Sequence, residues 1–202
     1  MEQYFTEQPT AIHQERNFTF KLRNFVFQFT SDNGVFSKQT VDYGTRTLIE
    51  ALDIIDLPAG KLLDLGCGYG PIGLTLARLL PQREIDMVDV NQRAIDLAQK
   101  NAQNNQINNV HIQISNIYQQ LQQQKYAAIY TNPPIRAGKE VVSTMIVQAP
   151  LHLASQGQLW LVVQKKQGEP TYKKLMQQAF GNVEIIKRDK GYYVLKSVKT
   201  KN

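Results

Sequence analysis

The sequence predicts an α/β protein whose mostly parallel sheet ends in an antiparallel hairpin, and three observations carry that reading. Residues 61–65 form an apolar run with one acid, Asp64; the run breaks into Gly66, Gly68 and Gly70 before the helical pattern of 74–80. Strand, glycine turn and helix follow from that order. Strand-like runs then alternate with helical segments as far as Phe180, which favours parallel pairing through crossover helices. Finally, the runs 183–187 and 192–198 are separated only by Arg188-Asp189-Lys190-Gly191. A parallel pair needs a crossover of about a dozen residues or more, so this last pair must be antiparallel.

With 202 residues the chain reads as one domain, 1–202, made of an N-terminal extension over 1–33 and a core over 34–202. A composition of 42% hydrophobic and 20% charged residues is that of a globular protein able to bury a real core. No apolar run approaches the roughly 20 residues of a membrane span, and the opening Met-Glu-Gln-Tyr-Phe-Thr-Glu lacks the basic and apolar regions of a signal peptide. The single cysteine, Cys67, cannot close an internal disulfide, so a cytoplasmic setting is expected. No metal is expected. The net charge of +6 is uneven: from Lys165 onward ten Lys or Arg face three acids, and the rest is close to neutral. Such a basic third suits a phosphate-rich partner, and it equally suits a merely solvated face.

Taken in order, Phe18, Phe20 and Leu22 alternate with polar residues, and Phe25, Phe27 and Phe29 alternate in the opposite parity. A break at Arg23-Asn24 makes this a small hairpin with one aromatic face, expected to pack as core. Ser31-Asp32-Asn33-Gly34 is a turn signal. Leu48, Ile49, Leu52 and Ile55 then show helical spacing. Beyond the glycine turn, a strand over 84–90 ends in Asp89, and Asn91 caps a helix to about 104, with Ala94, Ile95, Leu97, Ala98 and Ala102 as its buried side. Further strands are expected over 110–114, 126–130 and 158–163, with helices over 141–153 and 171–180.

Ligands of open α/β sheets bind at the carboxyl ends of the strands, and four such ends carry polar residues: Asp64 with its glycines, Asp89, Asn116 and Asn132. Gly68-Tyr69-Gly70-Pro71-Ile72-Gly73, with Asp89 about 20 residues on, formally fits the dinucleotide fingerprint. An acid immediately before the glycines suits a ligand bearing an ammonium group better than a pyrophosphate. Asp64-Leu65-Gly66-Cys67-Gly68 resembles motif I of the class I S-adenosylmethionine (SAM) methyltransferases, whose Rossmann-like sheet of seven strands also ends in an antiparallel hairpin. The resemblance implies that Asp64, Gly66, Cys67, Gly68 and Gly70 hold the methionine part of SAM. It further implies that Asp89, beside Val90, accepts from the ribose hydroxyls and that Asn116, beside Ile117, meets the adenine. A small side chain among glycines is the expected role of Cys67; a catalytic thiol is the weaker alternative.

Asn132-Pro133-Pro134-Ile135 resembles the Asn-Pro-Pro-aromatic motif of methyltransferases acting on an amine conjugated to a ring or carbonyl. The lone pair of such an amine is delocalised. The Asn132 side-chain oxygen and the Pro133 carbonyl could accept both N–H groups and let the nitrogen become more tetrahedral, while the prolines stiffen the grip beforehand. Ile135 departs from the aromatic pattern, so the stacking surface is missing from the motif; Phe36 is a candidate to supply it. Arg136 and Lys139 follow, placed to meet phosphate.

From Gly34-Val35-Phe36-Ser37 to Gln164-Lys165-Lys166-Gln167-Gly168 the chain is similar to the methyltransferase small-domain family, which includes guanine-N2 methyltransferases of 16S ribosomal RNA. That resemblance implies a SAM-dependent N-methyltransferase with ribosomal RNA or the small ribosomal subunit as partner, acting on a base that is flipped out or unpaired. A protein glutamine-N5 or an adenine-N6 methyltransferase is the enzymatic alternative. An RNA-binding or assembly protein with a vestigial cofactor fold is the non-enzymatic one. Oligomeric state is not legible.

Overall fold

A computed structural model describes residues 14–35, 40–121 and 123–200. The expected hairpin forms from β1 (Arg16–Leu22) and β2 (Phe25–Ser31), paired from Arg16↔Ser31 to Leu22↔Phe25. The turn falls on Arg23-Asn24, with Arg23 in the left-handed region at φ 54°. Phe27 and Phe29 are buried and stack at 5.5 Å, so the aromatic stripe is core. β2 shows an open edge to the helix α3 (Gln92–Asn104), and two side-chain amides close it. Asn105 (the α3 C-cap) exchanges two hydrogen bonds with the backbone of Gln28 at 2.9 and 2.8 Å, and Asn101 does the same with Thr30 at 2.7 and 2.9 Å. Asparagines one helical turn apart meet alternate residues of the strand, as a neighbouring strand would.

The remaining elements in chain order are α1 (Tyr43–Ala51), β3 (Leu62–Leu65), α2 (Pro71–Leu79), β4 (Ile85–Asp89), α3, β5 (Val110–Ile114), β6 (Tyr126–Thr131), α4 (Lys139–His152), β7 (Leu153–Gln164), α5 (Glu169–Phe180), β8 (Glu184–Asp189) and β9 (Tyr192–Val198). Seven strands form one sheet in the order β5-β4-β3-β6-β7-β9-β8. All neighbours are parallel except at β9, which runs antiparallel to both β7 and β8. Every residue of β3 and β6 is buried, because helices cover both faces of a parallel sheet. Leu62 points into the core beneath the first three helices, and Leu63 and Leu65 point into the core shared with α4 and α5.

The β8–β9 connection is tighter than the four residues expected. Asp189 pairs with Tyr192, so the loop is Lys190-Gly191, both with positive φ (43° and 81°), the turn geometry that matches the twist of a hairpin. α1 stops at Ala51 with Leu52 as its cap, which leaves Ile55 86% exposed and outside the helical face expected of it. β7 begins at Leu153 directly after α4, earlier than the apolar run suggested. Among the described residues, no helix is long and apolar enough to cross a membrane.

Candidate active site

The sheet changes direction of growth at β3, whose neighbours β4 and β6 lead outward to opposite edges. A cavity of about 670 Å³ opens there, at the carboxyl ends of the central strands, where α/β sheets place ligands. Its two halves are built differently.

In the first half the backbone does most of the work. The amides of Gly66 and Cys67 donate to the Val88 carbonyl at 2.8 and 2.9 Å, which fastens the glycine loop to β4. Asp89 closes β4 and accepts from the Gly68 amide at 2.9 Å and the Asn91 amide at 3.0 Å. Burial raises its pKa, and those amides act in the opposite direction. Gly68 has φ 56°, and a Cβ added there meets no protein atom within 4 Å; on the cavity wall it would take up ligand space. Gly73 has the other glycine role: a Cβ there would lie 2.6 Å from Met87 of β4, so its absence lets α2 lie against the sheet. Gly66, Cys67, Gly68, Asp89, Val90, Asn116 and Ile117 all line the cavity. Ile117 is held at φ 52°, costly for a β-branched residue, and the Ser115 hydroxyl donates to its carbonyl at 2.8 Å. Gly70 lies off the wall and serves as the left-handed N-cap of α2.

Asp64 sits behind the loop, fully buried and off the cavity wall. One carboxylate oxygen accepts from the Gly73 amide at 2.7 Å, and the other has no partner among the described residues. Burial pushes its pKa up to about 7, with Asp89 adding to the shift and the Gly73 amide opposing it. An unpartnered buried carboxylate oxygen beneath a glycine loop suits a cationic ligand group, so the residues present fit SAM, which carries an ammonium group. The Cys67 thiol is also pushed up, by burial first and then by Asp64 and Asp89, which leaves it a packed thiol and not a nucleophile.

The second half is built from side chains. Thr131 ends β6 by donating its hydroxyl to the Leu65 carbonyl at 2.8 Å, and the chain then enters Asn132-Pro133-Pro134. The Asn132 amide nitrogen donates to Asp42 Oδ1 and to Thr45 Oγ1, each at 3.0 Å. A carboxylate oxygen only accepts, so it fixes which end of the amide faces it. Asn132 Oδ1 is therefore turned from Asp42, and among the described residues neither it nor the Pro133 carbonyl accepts a hydrogen bond. The same Asp42 oxygen also caps α1, accepting from the Thr45 amide at 3.0 Å. Ile135 and Arg136, in a short 3-10 turn, complete this wall with Gln167 and Tyr192.

Lys139 opens α4, exposed and away from the lining, and Phe36 lies outside the described residues. The sequence reading missed Asp42, Thr45, Gln167 and Tyr192. An Asp three residues before Thr45 at the start of a helical pattern is the signal that could have found Asp42 as a cap; nothing local reveals its second bond, to a residue 90 positions on. Among the described residues no group of three or more His, Cys, Asp or Glu side chains is placed to hold a metal ion.

A mostly parallel sheet of this order, with a reversed strand inserted next to its edge, defines a class I SAM-dependent methyltransferase. More narrowly, the chain belongs to the methyltransferase small domain family, whose model matches residues 26–196. It is 45% identical over 199 residues to the uncharacterized protein YbxB of Bacillus subtilis, covering 98% of each chain. It is 31% identical over 187 residues to the ribosomal RNA small subunit methyltransferase C of Psychromonas ingrahamii, covering 91% of this chain and 52% of that one. Among solved structures, the 16S rRNA N2 methyltransferase (RsmC) of T. thermophilus, in complex with AdoMet and guanosine, superposes with a TM-score of 0.81 at 27% identity. That match covers 92% of this chain and 50% of the other. The chain thus spans about half the length of its ribosomal RNA methyltransferase relatives and nearly all of the Bacillus protein. The expected fold class, family and SAM cofactor all stand.

Proposed function

We propose that this protein methylates the exocyclic N2 amine of a guanine in 16S ribosomal RNA, with rRNA or the small ribosomal subunit as its partner. One observation carries the reading: Asp42 and Thr45 bind the nitrogen of the Asn132 amide, which leaves its oxygen and the Pro133 carbonyl, both on residues of the cavity wall, as two acceptors with no partner among the described residues. Two acceptors suit an amine with two N–H groups and disfavour a hydroxyl or a ring nitrogen, which offers at most one. The relative solved with guanosine supports guanine as the base, and exposed Lys165 and Lys166, beside Gln167 at the cavity, supply charge for a phosphate chain.

Bound SAM supplies an electrophilic methyl group. The protein's own contribution is positional. Asn132 and Pro133 take both N–H groups, which draws the amine out of conjugation and aims its lone pair; the two prolines and the Asp42 anchor set that geometry before substrate arrives. Tyr192 stays neutral, its pKa raised by burial and then by Asp42, and the proton departs to solvent after transfer.

The test is methyl transfer from isotopically labelled SAM to 16S rRNA and to assembled small subunits, followed by nucleoside analysis. N2-methylguanosine is the expected product. Label in N6-methyladenosine, or in protein alone, would overturn the assignment.

A further inference from the structure

An amine held by Asn132 and Pro133 belongs to a planar ring, and a planar ring needs a flat wall beside it. Ile135, the residue that follows the clasp, offers only aliphatic contact. Among the described residues two aromatic side chains line the cavity, Tyr69 and Tyr192. Tyr69 belongs to the glycine loop, where its ring meets Phe29 edge-on at 5.5 Å and Phe18 at 6.2 Å and its hydroxyl donates to the Thr40 carbonyl. It is thus committed to the cofactor side. Tyr192 stands on the other side.

The sheet register fixes how far. Thr131, the last residue of β6, pairs with Leu161 of β7, and Gln164, three residues further along β7, pairs with Tyr192. At about 3.3 Å per residue, Tyr192 stands about 10 Å beyond the end of β6, on the side of the sheet edge where the chain continues into Asn132. β9 lies two strands from β6, a lateral offset of about 10 Å. Tyr192 and Ile135 both line the cavity, so a planar ring held at the clasp lies between walls contributed by each.

The ring is also held in place. Gly44 of α1 lies under it, so close that an added Cβ would sit 3.0 Å from Tyr192 Cε1. Tyr43 backs it at 5.6 Å, and the Tyr43 hydroxyl is in turn fixed on Asp189 Oδ2 at 2.6 Å. Resting on the reading of a base-directed enzyme given above, we infer that Tyr192 is a substrate-binding residue: its ring supplies the face on which the acceptor base stacks, across from Ile135. The base is then positioned by two elements distant in sequence, the clasp after β6 and the first residue of β9.

The test compares Tyr192→Leu and Tyr192→Phe with the wild type in three measurements: guanosine affinity, SAM affinity by calorimetry, and KM and kcat for methyl transfer to 16S rRNA. Base–aromatic stacking is strong enough that its loss weakens binding on the order of tenfold or more. Tyr192→Leu should therefore weaken guanosine binding and raise KM by about that factor, with SAM affinity within about twofold of wild type; Tyr192→Phe, which keeps the ring, should recover most of the loss. Equal losses in both variants, or a Leu variant that falls in SAM affinity as much as in guanosine affinity, would overturn the inference. So would unchanged guanosine affinity and KM. A wild-type protein that methylates adenine would sink the guanine reading alone, because the Leu and Phe variants can be compared on adenosine in the same way. Label in protein alone would sink both.

Discussion

The two halves of the cavity solve the same problem in different ways. In the half proposed to take the cofactor, three consecutive strand ends and one glycine loop present backbone amides and a carboxylate, and each contact spans few residues or adjacent strands: Gly66 and Cys67 to Val88, Gly68 to Asp89, Gly73 to Asp64. In the half proposed to take the substrate, a single amide is aimed by a helix cap 90 residues upstream, and Tyr192 on its wall comes from the far end of the chain. The cofactor half depends on backbone shape, whereas the substrate half depends on which atom of one side chain faces which partner. The first should tolerate side-chain changes that do not alter the loop; the second should fail on changes of a single functional group.

The sharpest way to separate the halves is Asn132→Ala. Losing a preorganised acceptor costs about 2–4 kcal/mol of transition-state stabilisation. Turnover should fall at least about 30-fold while SAM affinity, followed by calorimetry, stays near wild type. Parallel loss of both would mean that the halves are not independent.

Next comes Asp42→Ala, which removes the atom that aims the amide and caps α1. Activity should fall on the order of tenfold, and the lost cap should lower stability by about 1 kcal/mol, read by denaturant unfolding. In an Asn132→Ala background the stability loss should persist while the activity loss disappears, because residues acting through one contact are not additive. Additive activity losses would give Asp42 a separate role.

The cofactor half has its own handle in Asp64. Its carboxyl titrates near 7 in the folded protein against about 4 when unfolded. The folded state therefore holds this proton more tightly, and the group's contribution to stability declines as pH rises from roughly 4 to 7. An ammonium ligand favours the ionised form, so SAM affinity should rise between roughly pH 6 and 7.5. Asp64→Asn should bind SAM about tenfold more weakly at pH 7.5, lose that rise, and melt higher than wild type in the absence of ligand. A rise in affinity that survives the substitution would assign it to another group.

The smallest effect tests packing beneath the loop. Gly73→Ala gains about 1 kcal/mol of helix propensity but sets a Cβ within 3 Å of three Met87 atoms, and overpacking costs about 1–3 kcal/mol. A modest net loss of thermal stability is expected; a gain would show that Met87 yields freely.

The same contrast explains what the amino-acid sequence revealed. Asp64, the glycines, Asp89 and Asn116 were legible because each sits at the end of a strand whose own pattern announces it. The change of parity after Leu22 likewise announced the N-terminal hairpin, and the short turn before Tyr192 the reversed strand. Asn132 was legible as a motif, but the partners that aim it were not, since no local pattern links Asp42 or Thr45 to a residue about 90 positions away. Asn101 and Asn105 were equally silent: on a helix they read as surface polar residues, and only the open edge of β2 gives their amides work. Ile55 misled because helical spacing continues past the point where the chain leaves the helix.

The account stands or falls on the orientation of one amide. A crystal structure with guanosine and a non-reactive SAM analogue measures it directly. The predicted result has the exocyclic amine within hydrogen-bond distance of both Asn132 Oδ1 and the Pro133 carbonyl, with the Asn132 nitrogen still on Asp42. An amide turned the other way, its nitrogen toward the base and its oxygen toward Thr45, would contradict it.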